Sequence, residues 1–478
     1  MTSYFLGIDN GSQSAKVTIF DRTGAVHATG HRALRPNATP APGRVEHPDD
    51  DLWEAISFAC REAMENFTGD PAEIRGVGLC TIRFCRAMLR ADGTLAQPVL
   101  SWMDERVSRA YEDTDPDVAY VTTSSGYISH RMTGVFADTA ANYQGMWPID
   151  TDTWEWSTDE AVIDACGIPR GKLFTLVMPG DTLGLVSAEA SAATGIPAGL
   201  PVIATANDKA VEALGCGLRS PREVLVSLGT YIASMTLGHQ NITDAEGFWT
   251  NFASEPHEYL YESDGIRRGM WTVSWYRDLL GEETAEFARA SGRSVEEFLG
   301  DGAATVPPGA DGLVAILDWL APTDKTYRRG AFLGFDGRQG RFHLYRAILE
   351  AIALEMGQNA GRMADRVGTE FERVLVSGGG SSSDLMMQIF ADVFGIPATR
   401  TRVNNGAGLG AAICVAVALG EYPDFDTAVA AMVQPGDTFE PDPERVGFYA
   451  RLGAYHARLR EFTDPMFEVG ASIMGTTD

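Results

Sequence analysis

The sequence lacks the patterns that mark several large classes of protein. Its six cysteines are scattered without a C-x-x-C pair, which argues against a zinc site or a disulfide framework and fits a reduced, cytoplasmic chain. No stretch approaches about 18 consecutive apolar residues, so we expect no membrane span. Met1 leads directly into the strand-like SYFLGI without a targeting segment. Neither the Walker A pattern G-x-x-x-x-G-K-[ST] nor H-E-x-x-H occurs.

Positive charge is also scarce. The 38 Lys and Arg residues face 65 Asp and Glu residues, which gives a formal net charge of -27. Such a balance argues against a partner that is a nucleic acid or an anionic membrane surface. An acidic surface also repels phosphorylated ligands, so a nucleotide site here must supply locally oriented donors or a metal.

The order of apolar patterns predicts an α/β protein with more than one domain. The chain has 478 residues, enough for two or more cores. Strand-like runs such as YFLGID, AKVTIFD and EIRGVGLCTI alternate with helical patterns such as DDDLWEAISFACREAMENF and RFHLYRAILEAIALEMGQNAGRMADRV. The aromatic segment from YISHRM to DTWEWS is predicted to be an irregular insertion or lid.

A short internal echo suggests two related halves. Asp9-x-Gly11-Ser12 and Ser227-x-Gly229-Thr230 each lie between two apolar runs at the same spacing. Chance explains so short an echo equally well, because strand-turn-strand units are common. The echo places a boundary in GLRSPRE, so the predicted domains are residues 1–220 and 221–478.

The two echoed turns are candidate phosphate sites. Gly11 permits close backbone approach, while Ser12 and Ser14 supply hydroxyl and N–H donors, and Asp9 is suited to the waters of a Mg²⁺ ion. The alternative is an Asx turn that satisfies only its own backbone. A second turn at Gly229-Thr230 facing the first would let the two grip a polyphosphate from opposite sides.

Two further motifs follow strands and precede helices. Gly378-Gly379-Gly380 is followed by serines and does not fit the dinucleotide pattern G-x-G-x-x-G, so it is either a nucleoside pocket or a tight turn with a serine helix cap. Asp208 in TANDKAVEAL is either a general base at the end of a strand or an N-cap.

A polar and aromatic group is a candidate sugar site. Arg83 follows the strand GVGLC, and SWMDERV brings Trp102, Asp104 and Arg106 together. A carboxylate and a guanidinium bind vicinal hydroxyls while an indole covers an apolar sugar face. The alternative is a surface ion pair with Trp102 in the core.

Together these motifs stand in the order of a known family. The sequence resembles the FGGY carbohydrate kinases, such as glycerol, xylulose and ribulose kinases, from GIDNGSQSAKVTIFD through SWMDER, ATANDKAVEALGCG and VSLGT to SGGGSSSDLMMQIFADVFGIP and GAGLGAA. The resemblance implies two ribonuclease-H-like domains of the actin type around a central cleft. It implies ATP and Mg²⁺ as cofactors, Asp208 as catalytic base and Asp9 as the metal-orienting acid. The residues assigned to ATP are Gly11, Ser12, Ser14, Gly229, Thr230, Gly269, Gly378, Gly379 and Ser383.

Departures from the family pattern leave the acceptor open. Ile82-Arg83-Phe84 stands where xylulose kinases carry Gln-Met-His and glycerol kinases Gln-Arg-Glu, so only Arg83 matches the polyol-binding Arg. LAPTDKTY at 320–327 replaces a common Gly-Glu-Arg-Thr-Pro stretch, and Asn404-Asn405 replaces an acid. A ketopentose such as xylulose, or a polyol, is expected. The rival readings are an actin-like or chaperone-like ATPase and a catalytically degenerate sugar-binding module; the resemblance also allows a homodimer.

Overall fold

The computed structural model describes residues 3–322, 324–402 and 405–475. The strands are β1 (Tyr4–Asn10), β2 (Ser14–Asp21), β3 (Val26–Ala33), β4 (Ile74–Thr81), β5 (Ala87–Leu89), β6 (Tyr120–Thr122), β7 (Ala137–Thr139), β8 (Ile149–Asp150), β9 (Glu155–Trp156), β10 (Thr175–Val177), β11 (Thr182–Leu185), β12 (Pro201–Ala204), β13 (Glu223–Leu228), β14 (Ile232–Gly238), β15 (Phe248–Phe252), β16 (Tyr259–Ser263), β17 (Val314–Ile316), β18 (Ala331–Leu333), β19 (Arg373–Ser377), β20 (Ala398–Thr401) and β21 (Pro435–Phe439).

The α-helices alternate with these strands along the chain. They are α1 (Asp51–Asn66), α2 (Ser124–Thr133), α3 (Glu160–Cys166), α4 (Ala188–Thr194), α5 (Asp208–Gly215), α6 (Gly269–Leu279), α7 (Gly281–Ala290), α8 (Val295–Ala304), α9 (Arg341–Val367), α10 (Asp384–Phe394), α11 (Gly406–Ala418), α12 (Phe425–Met432), α13 (Pro443–Ala457) and α14 (Leu459–Met474).

Two large sheets repeat one strand pattern. In the first, with the order β11-β12-β4-β1-β2-β3, β1 pairs antiparallel with β2 and parallel with β4, β2 pairs antiparallel with β3, and β4 pairs parallel with β12. The second sheet has the order β15-β16-β14-β13-β19-β20-β21 and repeats these directions. Here β13 pairs antiparallel with β14 and parallel with β19, β14 pairs antiparallel with β16, and β19 pairs parallel with β20. An antiparallel strand, β11 or β21, then flanks β12 or β20. The predicted fold class, two ribonuclease-H-like domains of the actin type, is confirmed.

Several elements agree closely with the sequence patterns. The long helical pattern that begins at RFHLYR is α9, and the acid-led pattern is α1. The prediction of an irregular insertion is wrong for its first part, because α2 buries Tyr127, Ile128 and Met132 in the core of the first sheet. Farther along, the fully buried Trp154 stacks on Phe252 of β15 with 4.3 Å between ring centroids. The segment therefore joins the two sheets.

Helix α11 comes late in the sequence but packs on the first sheet and crosses α5. The backbones approach so closely that only glycine fits: a Cβ on Gly7 of β1 would overlap the Gly408 carbonyl, and one on Gly410 would overlap the Val211 carbonyl. Phe5, Phe20 and Leu214 share one core cluster with α11 and α12. The boundary at residue 220 stays a prediction, and α11 and α12 pack across it.

Within the described residues, no helix combines the length and the apolar character needed to cross a membrane.

The crossing predicts opposite effects of the same substitution at two helical glycines. Gly410→Ala places a methyl group against the carbonyl of Val211 and is expected to lower the free energy of unfolding by about 1–3 kcal/mol. Gly361→Ala in α9 points into open space and is expected to raise it by up to about 1 kcal/mol. Urea unfolding followed by circular dichroism measures both, and equal effects of the two substitutions would contradict the packing described.

Candidate active site

The two echoed turns face each other between the sheets. In the first, between β1 and β2, the Gly11 N–H donates to the Ser14 carbonyl over 3.1 Å. The second, Gly229-Thr230, joins β13 to β14. The Gln13 amide donates to the Thr230 hydroxyl over 3.3 Å and so links the two turns. Partly or fully exposed backbone and hydroxyl groups, including Ser12, therefore converge from both sheets on one place.

The second turn is held by the beginning of α6. The Gly269 N–H donates to the Thr230 carbonyl over 2.7 Å, and the Met270 N–H donates to the Gly229 carbonyl over 3.1 Å. A Cβ on Gly269 would collide with the side chain of Ile232. The structure thus places Gly269 beneath the phosphate turn, while Met270 reaches the neighbouring cavity.

The glycine-rich turn after β19 opens into a cavity of about 770 Å³. Gly379 and Ser383 line this cavity, together with Met270 and Tyr345. Gly378 has φ of +85°, and a Cβ there would strike the Leu228 carbonyl, so this position requires glycine. Ser383 also accepts from the Met386 N–H over 3.3 Å and caps α10. The predicted serine cap is therefore confirmed, a cavity lies beside it, and the binding of a nucleoside there stays a prediction.

Asp9 ends β1 beside the first turn. Its register partners are Lys16 on β2 and Cys80 on β4. Burial raises the pKa of Asp9 to about 7; the Lys16 ammonium opposes this shift, and the nearby carboxylates of Asp208 and Glu212 add to it. A cation beside Asp9 would favour its charged form, so this carboxyl fits a metal-orienting role.

Asp208 is the first residue of α5 and is not its cap. The Asn207 side chain caps the helix by accepting from the N–H groups of Lys209 and Ala210, each over 3.1 Å. Burial raises the pKa of Asp208, whereas the Arg83 guanidinium, whose Nε lies 3.9 Å from Asp208 Oδ1, lowers it. The prediction of Asp208 as the N-cap is therefore wrong. Its Oδ1 does accept from the Lys209 N–H over 3.0 Å, and its Oδ2 makes no hydrogen bond with the described residues.

Arg83 joins the first domain to the second through two residues that the sequence did not indicate. Its Nη1 donates to Asn251 Oδ1 over 2.7 Å and to Glu262 Oε2 over 2.6 Å, and its Nη2 donates to Glu262 Oε1 over 2.8 Å. Glu262 is fully buried. Burial lowers the pKa of Arg83, but the carboxylate of Glu262 raises it by more, so this pKa lies above its ordinary value. The available signal was the single acid in the apolar strand YLYES.

The two other predicted sugar-binding residues differ in their surroundings. Trp102 is 44% exposed rather than in the core, and its backbone N–H donates to the sulfur of Cys85 on the Arg83 loop. Asp104 is buried, where it accepts from the Val45 N–H over 2.7 Å and binds the Arg106 guanidinium through both oxygens. The Asp104 carboxylate is thus occupied by Arg106 and by the distant Val45 N–H, and its contact with a sugar stays a prediction.

A partly buried network links α5 to the strand ends before the turns at Gly229 and Gly378. Glu212 Oε1 accepts from the hydroxyls of Ser227 and Ser377, each over 2.7 Å, and Glu212 Oε2 accepts from Lys209 Nζ over 3.0 Å. Lys209 Nζ also donates to Ser227 over 3.0 Å. Burial opposes the charge of Glu212, but the Lys209 ammonium and the two hydroxyls lower its pKa. The only sequence signal was an acid one turn after Asp208.

The two altered stretches have structural partners. Asn404 lies outside the described residues, whereas Asn405 caps α11 by accepting from the Gly408 N–H and donates to Thr18 of β2 over 3.1 Å. In the 320–327 stretch, the Ala321 carbonyl accepts from Arg267 over 2.7 Å. This bond ties the stretch to the segment that leads into α6.

Comparisons with known proteins agree with this geometry. The FGGY family of carbohydrate kinases has a C-terminal domain model that matches residues 224–419 and an N-terminal domain model that matches residues 4–119 and 99–215. An uncharacterized sugar kinase of Escherichia coli (strain K12), YgcE, is 50% identical over 472 residues, which is 98% of this chain and 96% of that protein.

Solved structures share the fold. The xylulose kinase from Rhodospirillum rubrum has a TM-score of 0.83 at 24% identity and covers 97% of this chain and 100% of its own. The gluconate kinase from Lactobacillus acidophilus has a TM-score of 0.84 at 18% identity and covers 98% and 99%. With two domain models that span most of its length, the chain belongs to the FGGY family of carbohydrate kinases.

Proposed function

We propose that this carbohydrate kinase transfers the γ-phosphate of ATP to a hydroxyl of a small sugar or polyol, with Asp208 as general base. A ketopentose such as xylulose, or a polyol, is the expected acceptor. The observation that carries the proposal is the position of the Asp208 carboxylate. Asn207 caps the helix in its place, Arg83 lies beside it, and Oδ1 accepts only from the Lys209 N–H over 3.0 Å among the hydrogen bonds of the described residues. A carboxylate that only capped a helix would have no such surroundings.

On the nucleotide side, the cavity beside Gly379 and Ser383 would take the nucleoside. The turns at Gly11-Ser12 and Gly229-Thr230 would then take the phosphates, because their N–H and hydroxyl groups meet where Gln13 bonds Thr230. The acidic surface of the protein would repel the phosphates of ATP. These donors would contact the phosphates directly, so the site needs no basic patch.

Asp9 would hold Mg²⁺, either directly or through its waters. Among the described residues no group of three or more His, Cys, Asp or Glu side chains is placed to hold a metal ion, so waters and phosphate oxygens would complete the coordination. A cation there would favour the charged form of Asp9, whose pKa is raised by burial and by the nearby carboxylates of Asp208 and Glu212. The bound ion would neutralise charge on the phosphates.

At the acceptor, positioning accounts for most of the chemistry. The acceptor O–H donates to Asp208 while its oxygen attacks the γ-phosphorus in line. A new O–P bond forms, the bond between the γ-phosphorus and the β,γ-bridging oxygen breaks, and ADP leaves. The proton ends on Asp208, and the turn N–H groups stabilise charge on the phosphoryl oxygens during transfer.

The first test is ADP release with Mg²⁺-ATP across ketoses, aldoses and polyols of three to six carbons. We expect release that depends on one acceptor and falls by at least about 10²-fold in Asp208→Asn, which keeps the shape and loses the base. Asp424→Asn, which makes the same change at the exposed N-cap of α12 away from the site, is the matched control and should retain activity. Release that persists in Asp208→Asn would remove Asp208 from the role of base, and the absence of acceptor-dependent release would favour the degenerate binding module.

Asp9→Asn is expected to separate stability from activity. The folded pKa of Asp9 is about 7 and its ordinary value is 3.8, so the cost of burying its charge appears as the pH rises from about 4 and is complete above about 7. At pH 8 without Mg²⁺ or nucleotide, the variant should unfold with a free energy higher by about 2–4 kcal/mol, and this gain should disappear near pH 4.

The same variant should lose kinase activity because it cannot hold the metal. Urea unfolding at pH 4, 6 and 8 measures the first effect, and ADP release measures the second. A variant that is less stable than the wild type at pH 8 would contradict the raised pKa of Asp9.

A further inference from the structure

We infer that Glu262 restricts the acceptor to uncharged polyhydroxy compounds and makes the enzyme reject the aldonic acids of the same carbon skeleton. This inference rests on the proposed function and deepens it, because it names the class of acceptor that the site at Asp208 takes.

The first step is the charge of Arg83. A cation next to the base would be the natural partner of a carboxylate on the acceptor. Here the fully buried carboxylate of Glu262 binds that guanidinium through both oxygens, at 2.6 and 2.8 Å. The positive charge of Arg83 is therefore already neutralised by Glu262. The guanidinium carbon also lies 5.2 Å from the centre of the Phe84 ring.

The second step is the count of donors that remain. A guanidinium has five N–H groups, and three of them point at Asn251 and Glu262. The Nε–H and one Nη2–H have no hydrogen-bond acceptor among the described residues. Nε lies 3.9 Å from Asp208 Oδ1, so one hydroxyl oxygen can lie about 2.8 Å from both atoms at the same time. Such a hydroxyl accepts from Arg83 and donates to Asp208.

An anionic oxygen in the same place has no proton to donate to Asp208. It would also lie beside the carboxylates of Asp208 and Glu262 with Arg83 already paired, and like charges at this distance repel. A carboxylate elsewhere on a bound acceptor would likewise gain nothing from Arg83, because Glu262 already binds both Nη atoms of that guanidinium. The geometry therefore favours acceptors that carry hydroxyls and no carboxylate.

The third step is the neighbouring cavity of about 670 Å³. Trp249, which faces Glu262 in the strand register, lines it, and so does Gly145, which lies against the Phe84 ring. Its other described lining residues are apolar or carry amide, hydroxyl, thiol or indole groups, with no Lys, Arg, Asp or Glu among them. The indole N–H of Trp249 is buried without a partner in the described part of the chain. This wall also offers hydrogen bonds and no cation.

The test compares matched pairs that differ only at one end of the skeleton: xylitol with xylonate, arabinitol with arabinonate, ribitol with ribonate and glucitol with gluconate. Binding to the full-length enzyme is measured by calorimetry, and phosphorylation by ADP release. We expect at least one alcohol to bind about tenfold or more tightly than its acid. An acid that binds as tightly as its alcohol in every pair, or the absence of binding by any alcohol, overturns the inference.

Variants assign the discrimination to Glu262. Glu262→Gln keeps an oxygen for Arg83 but leaves its charge unpaired, so the ratio of acid to alcohol binding should rise by about tenfold or more. Glu350→Gln is the matched control: Glu350 is also buried beside an arginine, with Arg346 Nε at 2.7 Å, but both lie in α9 away from this site. It should leave the ratio unchanged.

The outcomes separate the two proposals. Binding of alcohols without any phosphorylation supports the acceptor class and overturns the kinase mechanism at Asp208. Phosphorylation of an aldonic acid in preference to its alcohol supports the mechanism and overturns the inference. If Glu262→Gln does not fold, the binding ratios of the wild-type enzyme still decide between them.

Discussion

The carboxylate of Glu212 holds the parts of the site in register with one another. Through one oxygen it binds Ser227 at the end of β13 and Ser377 at the end of β19, and through the other it binds Lys209 on its own helix. Each serine lies one or two residues before the glycine of a ligand-binding turn. Asp208 lies four residues before Glu212, so the same contacts fix the helix that carries the proposed base. A charge buried in this way is costly unless every partner is present, and here the cost enforces a single arrangement.

The acceptor side uses a second buried charge for a different purpose. Glu262 comes from the second sheet and Arg83 from the first, so their ion pair exists only when the two sheets are together. A buried pair of this kind is weak evidence for stability, but losing one partner would leave an uncompensated buried charge. Gln13 and Thr230 add a contact across the same cleft. The site is therefore assembled from groups that neither half of the chain could present alone.

Local pattern was enough to predict an α/β chain and its turns, whereas the two ribonuclease-H-like domains were predicted from the resemblance to the family. The apolar periodicity of α9 and the glycine turns at both echoed positions depend on neighbours within a few residues, which a sequence displays directly. Asn207 and Asp208 are both good caps, so sequence could not say which of them caps α5. Glu262 lies 179 positions from Arg83 along the chain. One acid in a strand ordinarily indicates a solvent-facing position, and only the tertiary fold shows it buried against a guanidinium. The surroundings of Asp104 could not be predicted either. The motif around Trp102 does not show that the Asp104 carboxylate accepts from the Val45 N–H.

The return of α11 and α12 to the first sheet bears on the order in which the molecule can form. Gly7 of β1 and Gly78 of β4 have no side chain because the backbone of α11 occupies that space. As the chain leaves the ribosome from its N-terminus, this face of the first sheet stays uncovered until residues 406–432 have been made, by which time most of the second sheet has also emerged. The core of the N-terminal domain is thus completed only when the C-terminal helices have been synthesised. A truncated N-terminal half would expose the glycine-lined face of the first sheet on which α11 packs.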